Sequence, residues 1–115
     1  MTEIQKKQCH EIARHYGWDS QKNQTIQECA ELIVALTARS DQENSFWIEN
    51  LRGEIADCMI MLEQMVFMLD GGNCKVDAVI KNKIERQIRR IASENAQEQA
   101  CNDVDDKTHA KKRNA

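Results

Sequence analysis

The sequence has 115 residues, no proline, four glycines and 4% aromatic residues, which argues against a turn-rich β domain. Its hydrophobic fraction of 41% and charged fraction of 30% are typical of a folded domain with a modest core rather than of a disordered chain. The net charge of −3 gives no general electrostatic reason to bind nucleic acid or an anionic membrane, and we expect neither partner.

Five cysteines are present, and no two of them have the C-x-x-C spacing of zinc or redox motifs. The first residues contain no apolar segment of the signal-peptide type, and acidic residues interrupt the longest apolar stretch. We therefore expect a cytoplasmic protein with reduced thiols and no membrane span.

Four helices are predicted, in chain order. A capping box of Thr2 and Gln5 begins the first helix, and Gly17 ends it. The second is predicted from Asp19 or Ser20 to about Arg39, followed by a polar loop over residues 40–45.

Asn44 or Ser45 is expected to cap a third helix, which a glycine turn at residues 70–73 closes. The fourth is predicted from about Lys75 to Glu98, because apolar residues from Val76 to Ile91 form one stripe at helical spacing. The sequence thus predicts an all-α, four-helix bundle-like domain over residues 1–98, with sequential helices antiparallel, and a disordered tail over residues 99–115.

Two acidic pairs interrupt the two most apolar segments of the chain. Glu28 and Glu31 lie in the second helix at the spacing i, i+3, and Glu54 and Asp57 repeat this spacing in the third. The spacing places both carboxylates of a pair on one helix face. On antiparallel neighbouring helices the pairs can face each other, and four carboxylates in a partly desolvated groove repel one another unless cations neutralise them. The sequence therefore predicts a cation site between these helices.

A site built only from carboxylate oxygens favours a hard divalent ion. We predict Mg²⁺, with Mn²⁺ as the alternative, because the sequence has neither a Glu-x-x-His motif nor a set of thiolate ligands. Mg²⁺ commonly shares its coordination with substrate phosphates, and the basic fourth helix offers cations for them. Lys83 and Arg90 fall beside the apolar stripe of that helix, and Arg86 lies further round it.

The order and separation of the acidic motifs resemble the signature of the MazG-like all-α nucleoside triphosphate pyrophosphohydrolases. The matching pattern is Glu28-x-x-Glu31, twenty-two intervening residues, then Glu54-x-x-Asp57. The resemblance extends back through residues 15–17 and Gln21 and forward over residues 83–91, so it covers nearly everything except the tail. Two positions depart from the family pattern: Gln27 stands where a glutamate is frequent, and Ala56 where glycine is frequent.

The resemblance implies a hydrolase that cleaves a nucleoside or deoxynucleoside triphosphate between the α and β phosphates, giving the monophosphate and pyrophosphate. A role in nucleotide-pool housekeeping is the expected setting. All four acidic residues would be metal-binding and catalytic, and one would orient the attacking water. The expected substrate contacts are Gln21, through the resemblance only, the aromatic Trp47, which can stack on a base, and the basic Lys83, Arg86 and Arg90.

The third helix is apolar around more of its circumference than one partner face can cover, which favours an oligomer. The resemblance to dimeric relatives agrees, and we expect a homodimer or homotetramer. Two other functions stay open: a non-catalytic helical dimerisation or adaptor module, and a related pyrophosphohydrolase acting on a diphosphate or a biosynthetic nucleotide.

Overall fold

The computed structural model describes residues 1–38, 45–72 and 75–113, with side chains described as far as residue 107. This part of the chain contains α1 (Glu3–Tyr16), α2 (Trp18–Leu36), α3 (Ser45–Asp70) and α4 (Lys75–Arg113). No strand occurs in the described ranges, which confirms the predicted all-α class. The chain divides into two compact units, Met1–Cys74 and Lys75–Ala115. None of the described helices combines the length and hydropathy needed to cross a membrane.

The start of α1 and its end at a glycine are as predicted. The Thr2 hydroxyl accepts a hydrogen bond from the backbone N–H of Gln5 at 3.1 Å, and the Gln5 side chain accepts one from the backbone N–H of Thr2 at 2.8 Å. Gly17 has φ of 83°, a conformation that side chains other than glycine's rarely adopt. The same residue ends α1 and precedes α2, so α2 begins at Trp18, one or two residues before the predicted start at Asp19 or Ser20.

The ends of α2 and α3 are set by local hydrogen bonds. At the end of α2, the backbone N–H of Thr37 donates to the carbonyl of Ile33, and the helix ends at Leu36, before the predicted limit. Most of the predicted loop over residues 40–45, with the cap at Asn44, lies outside the described residues. At the end of α3, Gly71 has φ of 59° and its N–H donates to the Phe67 carbonyl at 2.9 Å, as the predicted glycine turn requires.

The fourth helix is longer than the sequence predicts. It continues through Arg113, beyond the predicted end at Glu98 and across most of the segment predicted as a disordered tail. No apolar stripe supports this extension, but local polar contacts at helical spacing do: the Gln99 amide donates to the Asp103 carboxylate at 3.0 Å. Apart from the half-buried Val76, every described side chain of α4 is exposed.

Within the first unit, α3 packs against both α1 and α2. The Gln21 amide of α2 donates to the Gln64 side chain near the end of α3, whereas the Trp47 indole near the start of α3 donates to the carbonyl of Ala35 near the end of α2. These contacts define an antiparallel pair, as predicted for sequential helices.

The contacts of α1 and α3 centre on a histidine. His10 Nε2 lies 3.0 Å from the Glu63 carboxylate, and the His10 ring stacks on Phe67 with a centroid distance of 4.1 Å. The guanidinium of Arg14, one turn after His10, lies 4.9 Å from the centre of the same Phe67 ring. Residue numbers rise together on α1 and α3, so these two helices run parallel.

The core of this unit is small and partly polar. Among the described residues the buried apolar side chains are Cys9, Ala13, Ala35, Cys58 and Met61. Gln21 and Gln64 are buried among them, at 6% and 1% exposure, and hydrogen-bond each other at 2.7 Å. Because a buried amide needs a partner, this pair fixes which residues of α2 and α3 face each other.

Replacing one member of the glutamine pair should be costly. We expect Gln64→Leu to lower the free energy of unfolding by about 1–3 kcal/mol, because the buried Gln21 amide loses its partner. The double variant Gln21→Leu/Gln64→Leu should lose less than the sum of the two single variants, as urea unfolding can measure. Gln97→Leu, at an exposed position of α4, should change stability by less than about 0.5 kcal/mol. Additive losses in the double variant would contradict a coupled pair.

Candidate metal centre

The register of α2 and α3 brings the predicted acidic residues to one place. Seven residues after Gln21, α2 reaches Glu28, and seven residues before Gln64, α3 reaches Asp57. One carboxylate oxygen from each of Glu28, Glu54 and Asp57 lies within 4.8 Å of the others. Two helices of the same unit therefore place three of the four predicted acidic side chains within reach of a single ion.

Two oxygens of this cluster are buried without a partner. Glu28 Oε2 and Glu54 Oε2 are both shielded from solvent and accept no hydrogen bond in the described structure. The other oxygen of Glu28 accepts a hydrogen bond of 2.7 Å from the amide of Gln24, one turn earlier on α2. A buried carboxylate oxygen that accepts no hydrogen bond is destabilising unless a cation compensates its charge. The atoms that could bind a cation here are all carboxylate oxygens, which are hard ligands. The cluster therefore fits a metal ion that is bound through oxygen ligands.

Glu54 is the carboxylate of the cluster whose ionised form is least favoured by its surroundings. Desolvation by burial raises its pKa above the ordinary glutamate value, and the negative charges of Glu31, Asp57 and Glu28 raise it further. Both causes penalise the ionised carboxylate, so the ion-free protein holds Glu54 in a position that favours its neutral form.

Glu31 takes a different place from the other three carboxylates. It is exposed and lies outside the group within 4.8 Å, although its negative charge is among the causes that raise the pKa of Glu54. The Gln27 amide donates to Glu31 at 3.3 Å. Glu31 therefore lies at the edge of the cluster, against Glu54.

An open recess of about 380 Å³ adjoins this edge. Its size falls within the range of small-molecule pockets. Its walls include two carboxylates, two side-chain amides and three small or branched apolar residues. They are, in that order, Glu31 and Glu54, Gln27 and Asn50, and Ala30, Val34 and Ala35. The carboxylates are thus reached from an open, mixed polar and apolar surface.

Two predicted substrate contacts have structural partners elsewhere. The Gln21 amide is buried against Gln64 in the core, and its carbonyl oxygen accepts from the Ser20 hydroxyl at 3.2 Å. The Trp47 indole N–H donates to the carbonyl of Ala35 at 3.0 Å, so the ring is fixed at the end of the helix pair. Neither side chain belongs to the group of three carboxylates. Their predicted contacts with substrate stay predictions.

The predicted phosphate contacts are all on α4, in the second unit. Lys83 and Arg86 lie together along a shallow recess of that helix, beside Arg89. Arg90 is exposed and its guanidinium lies 3.4 Å from the Gln87 side chain, which accepts its hydrogen bond. Contact of these cations with phosphate stays a prediction.

Two residues at the cluster were missed by the sequence reasoning. The Cys58 thiol donates to the backbone carbonyl of Glu28 at 3.3 Å, and burial together with the neighbouring Cys29 raises its pKa. The available signal was its position directly after Asp57. Gln24 was missed as well, although its place four residues before Glu28 is the spacing at which helical side chains meet.

Comparisons of the chain with protein-family models, with curated proteins and with solved structures find no significant match.

Neutralising Glu54 should stabilise the ion-free protein. The contribution of Glu54 to wild-type stability is fully present below the ordinary glutamate pKa of 4.5 and is lost as pH rises through the higher pKa of Glu54 in the folded state. Glutamine at position 54 carries no charge at any pH. We therefore expect the ion-free Tm of Glu54→Gln to exceed the wild-type Tm at pH 7, and the difference between them to shrink toward pH 4.

Divalent ions should reverse this order. Saturating Mg²⁺ should raise the wild-type Tm and leave that of Glu54→Gln nearly unchanged, as thermal unfolding with and without chelator can measure. Glu11→Gln, on the exposed surface of α1, is the matched control and should behave as wild type under both conditions. A lower ion-free Tm for Glu54→Gln at pH 7 would contradict the electrostatic argument.

Proposed function

We propose that the chain is a Mg²⁺-dependent nucleoside triphosphate pyrophosphohydrolase of the MazG-like type, cleaving its substrate between the α and β phosphates. One observation carries the proposal: three carboxylates converge within 4.8 Å across α2 and α3, and two of them have buried oxygens without partners. The order and spacing of the acidic motifs support the same reaction class. The products are the nucleoside monophosphate and pyrophosphate.

We assign the four carboxylates different roles according to their positions. Glu28, Glu54 and Asp57 hold the cation, because their oxygens lie close enough together to share it. When bound, the ion supplies Lewis-acid stabilisation of charge on the phosphate oxygens. Glu31 accepts a hydrogen bond from the attacking water and orients it, since it lies against Glu54 but outside the group of three.

The recess beside Glu31 and Glu54 gives the substrate an open approach to these carboxylates. The resemblance adds Lys83, Arg86 and Arg90 to the proposal as contacts of the triphosphate.

Pyrophosphate release is the direct test of this function. With Mg²⁺ or Mn²⁺, a panel of standard and modified nucleoside triphosphates should include at least one that gives monophosphate and pyrophosphate. Glu54→Gln should lower kcat/KM for it by about 100-fold or more, because a ligand of the ion is lost. Glu11→Gln should retain wild-type kinetics.

Product analysis separates the neighbouring possibilities. Turnover of a nucleoside diphosphate with release of phosphate would point to the related hydrolase. The absence of both turnover and calorimetric divalent-ion binding would refute the enzyme and leave the adaptor module.

We propose further that the working form is a homo-oligomer. Several large apolar side chains of the first unit are exposed, among them Ile33, Val34 and Leu69, at 62%, 71% and 67%. On α4 the isoleucines of the predicted stripe are also exposed, Ile84 and Ile88 at 56% and 60%. Large apolar side chains that stay exposed in one chain favour association of protein surfaces.

The mass of the protein in solution tests this. Light scattering after size exclusion should give at least twice the chain mass of 13.3 kDa. Ile84→Glu should lower that mass, because it puts a charge on the apolar stripe, whereas Asn95→Glu on the same helix should not. A wild-type mass of one chain at all concentrations would contradict the oligomer.

A further inference from the structure

Two amide side chains on α2 each contact a carboxylate four residues later. The Gln24 amide donates to Glu28 Oε1 at 2.7 Å, and the Gln27 amide donates to Glu31 Oε1 at 3.3 Å. Only the first pair concerns a member of the group within 4.8 Å. Gln24 is also half-buried, whereas Gln27 is exposed.

The contact between Gln24 and Glu28 makes the two carboxylate oxygens of Glu28 different from each other. Oε1 accepts the amide hydrogen bond, while Oε2 is buried and has no donor in the described structure. A carboxylate free to rotate about its last bond would exchange these oxygens and lose conformational freedom whenever an ion bound. With Oε1 held by the amide, Oε2 is the oxygen of Glu28 that is left without a hydrogen-bond partner.

We propose that Gln24 is a positioning residue of the metal centre: its amide orients the Glu28 carboxylate so that Oε2 is presented to the ion. The inference rests on the proposed cation site, and it adds to that site a residue that touches neither ion nor substrate. Hydrogen bonds to metal-ligating carboxylates commonly alter metal affinity by 10–100-fold when removed.

The backbone of Glu28 is fixed separately from its side chain. The Cys58 thiol of α3 donates to the Glu28 carbonyl at 3.3 Å, which holds this turn of α2 against α3. Gln24 therefore acts on the side-chain rotamer alone. Its removal should change ion affinity without shifting the helix.

The amide has no counterpart for Asp57. The residue four positions before Asp57 is Gly53, which has no side chain to donate a hydrogen bond. Asp57 is also exposed, whereas Glu28 is half-buried. The orienting hydrogen bond is thus found at Glu28, the more buried of these two carboxylates. A side chain there has less room to change its rotamer when an ion binds.

The experiment compares Gln24→Met with wild type, since methionine keeps the length and helix propensity of glutamine and removes the amide. Calorimetric titration of the ion-free proteins with Mn²⁺ should give a Kd about 10-fold higher for the variant than for wild type. The Tm of the ion-free variant should fall by less than about 4 °C, because an exposed or half-exposed pair at this spacing contributes little to helix stability. Gln97→Met, on the exposed surface of α4, should change neither quantity.

The outcomes separate this inference from the proposed function. If wild type binds Mn²⁺ and Gln24→Met binds it equally well, Gln24 is not a positioning residue and the metal site stands. If the variant has weak binding only because its ion-free Tm collapses, the role is structural and the inference is overturned. If wild type itself binds no divalent ion, the proposed function fails and the inference fails with it. Weaker binding by an otherwise stable variant supports both.

A metal-independent signal checks the contact in solution. The side-chain amide resonances of Gln24 in the ion-free protein should shift when Glu28 is replaced by alanine and stay in place when Glu31 is replaced. Unmoved resonances in Glu28→Ala would show that the hydrogen bond is not formed, and would overturn the inference.

Discussion

The antiparallel packing of α2 against α3 is the constraint on which the rest of the site depends. The buried pair of Gln21 and Gln64 holds the two helices in one register, because neither amide can move without losing its partner. That register carries Glu28 opposite Asp57 and sets Glu31 against Glu54. A slip of one residue along either helix would turn these side chains onto different faces, so the polar core pair and the acidic cluster are parts of one arrangement.

The acidic cluster reduces the stability of the protein by itself. Its carboxylates raise the pKa of Glu54, and two of their oxygens are buried without donors. Both features oppose the folding of a domain with so small a core. In the function that we propose, a bound cation would compensate for them, because it would turn mutual repulsion into shared coordination. Function and stability are then linked through the same four side chains.

Much of the fold could be predicted from local sequence signals. The capping box at Thr2, the positive φ at Gly17 and the glycine turn at Gly71 each depend on a few adjacent residues, and all three are found in the structure. The end of α4 could not be predicted in this way. The apolar stripe stops at Ile91, but a helix of charged and amide residues can continue through contacts between its own neighbouring turns, as the pair Gln99 and Asp103 shows.

The sequence by itself determined the all-α class, the four helices and the identity of the acidic residues, because helical periodicity and i, i+3 spacing are properties of a single segment. Only the tertiary structure decided that Glu28, Glu54 and Asp57 form the close group while Glu31 lies at its edge. It also decided that Gln21 hydrogen-bonds Gln64 in the core, whereas Gln24 hydrogen-bonds Glu28 of the cluster. Distances between side chains on different helices depend on rotation and register, which are set when α2 and α3 pack together.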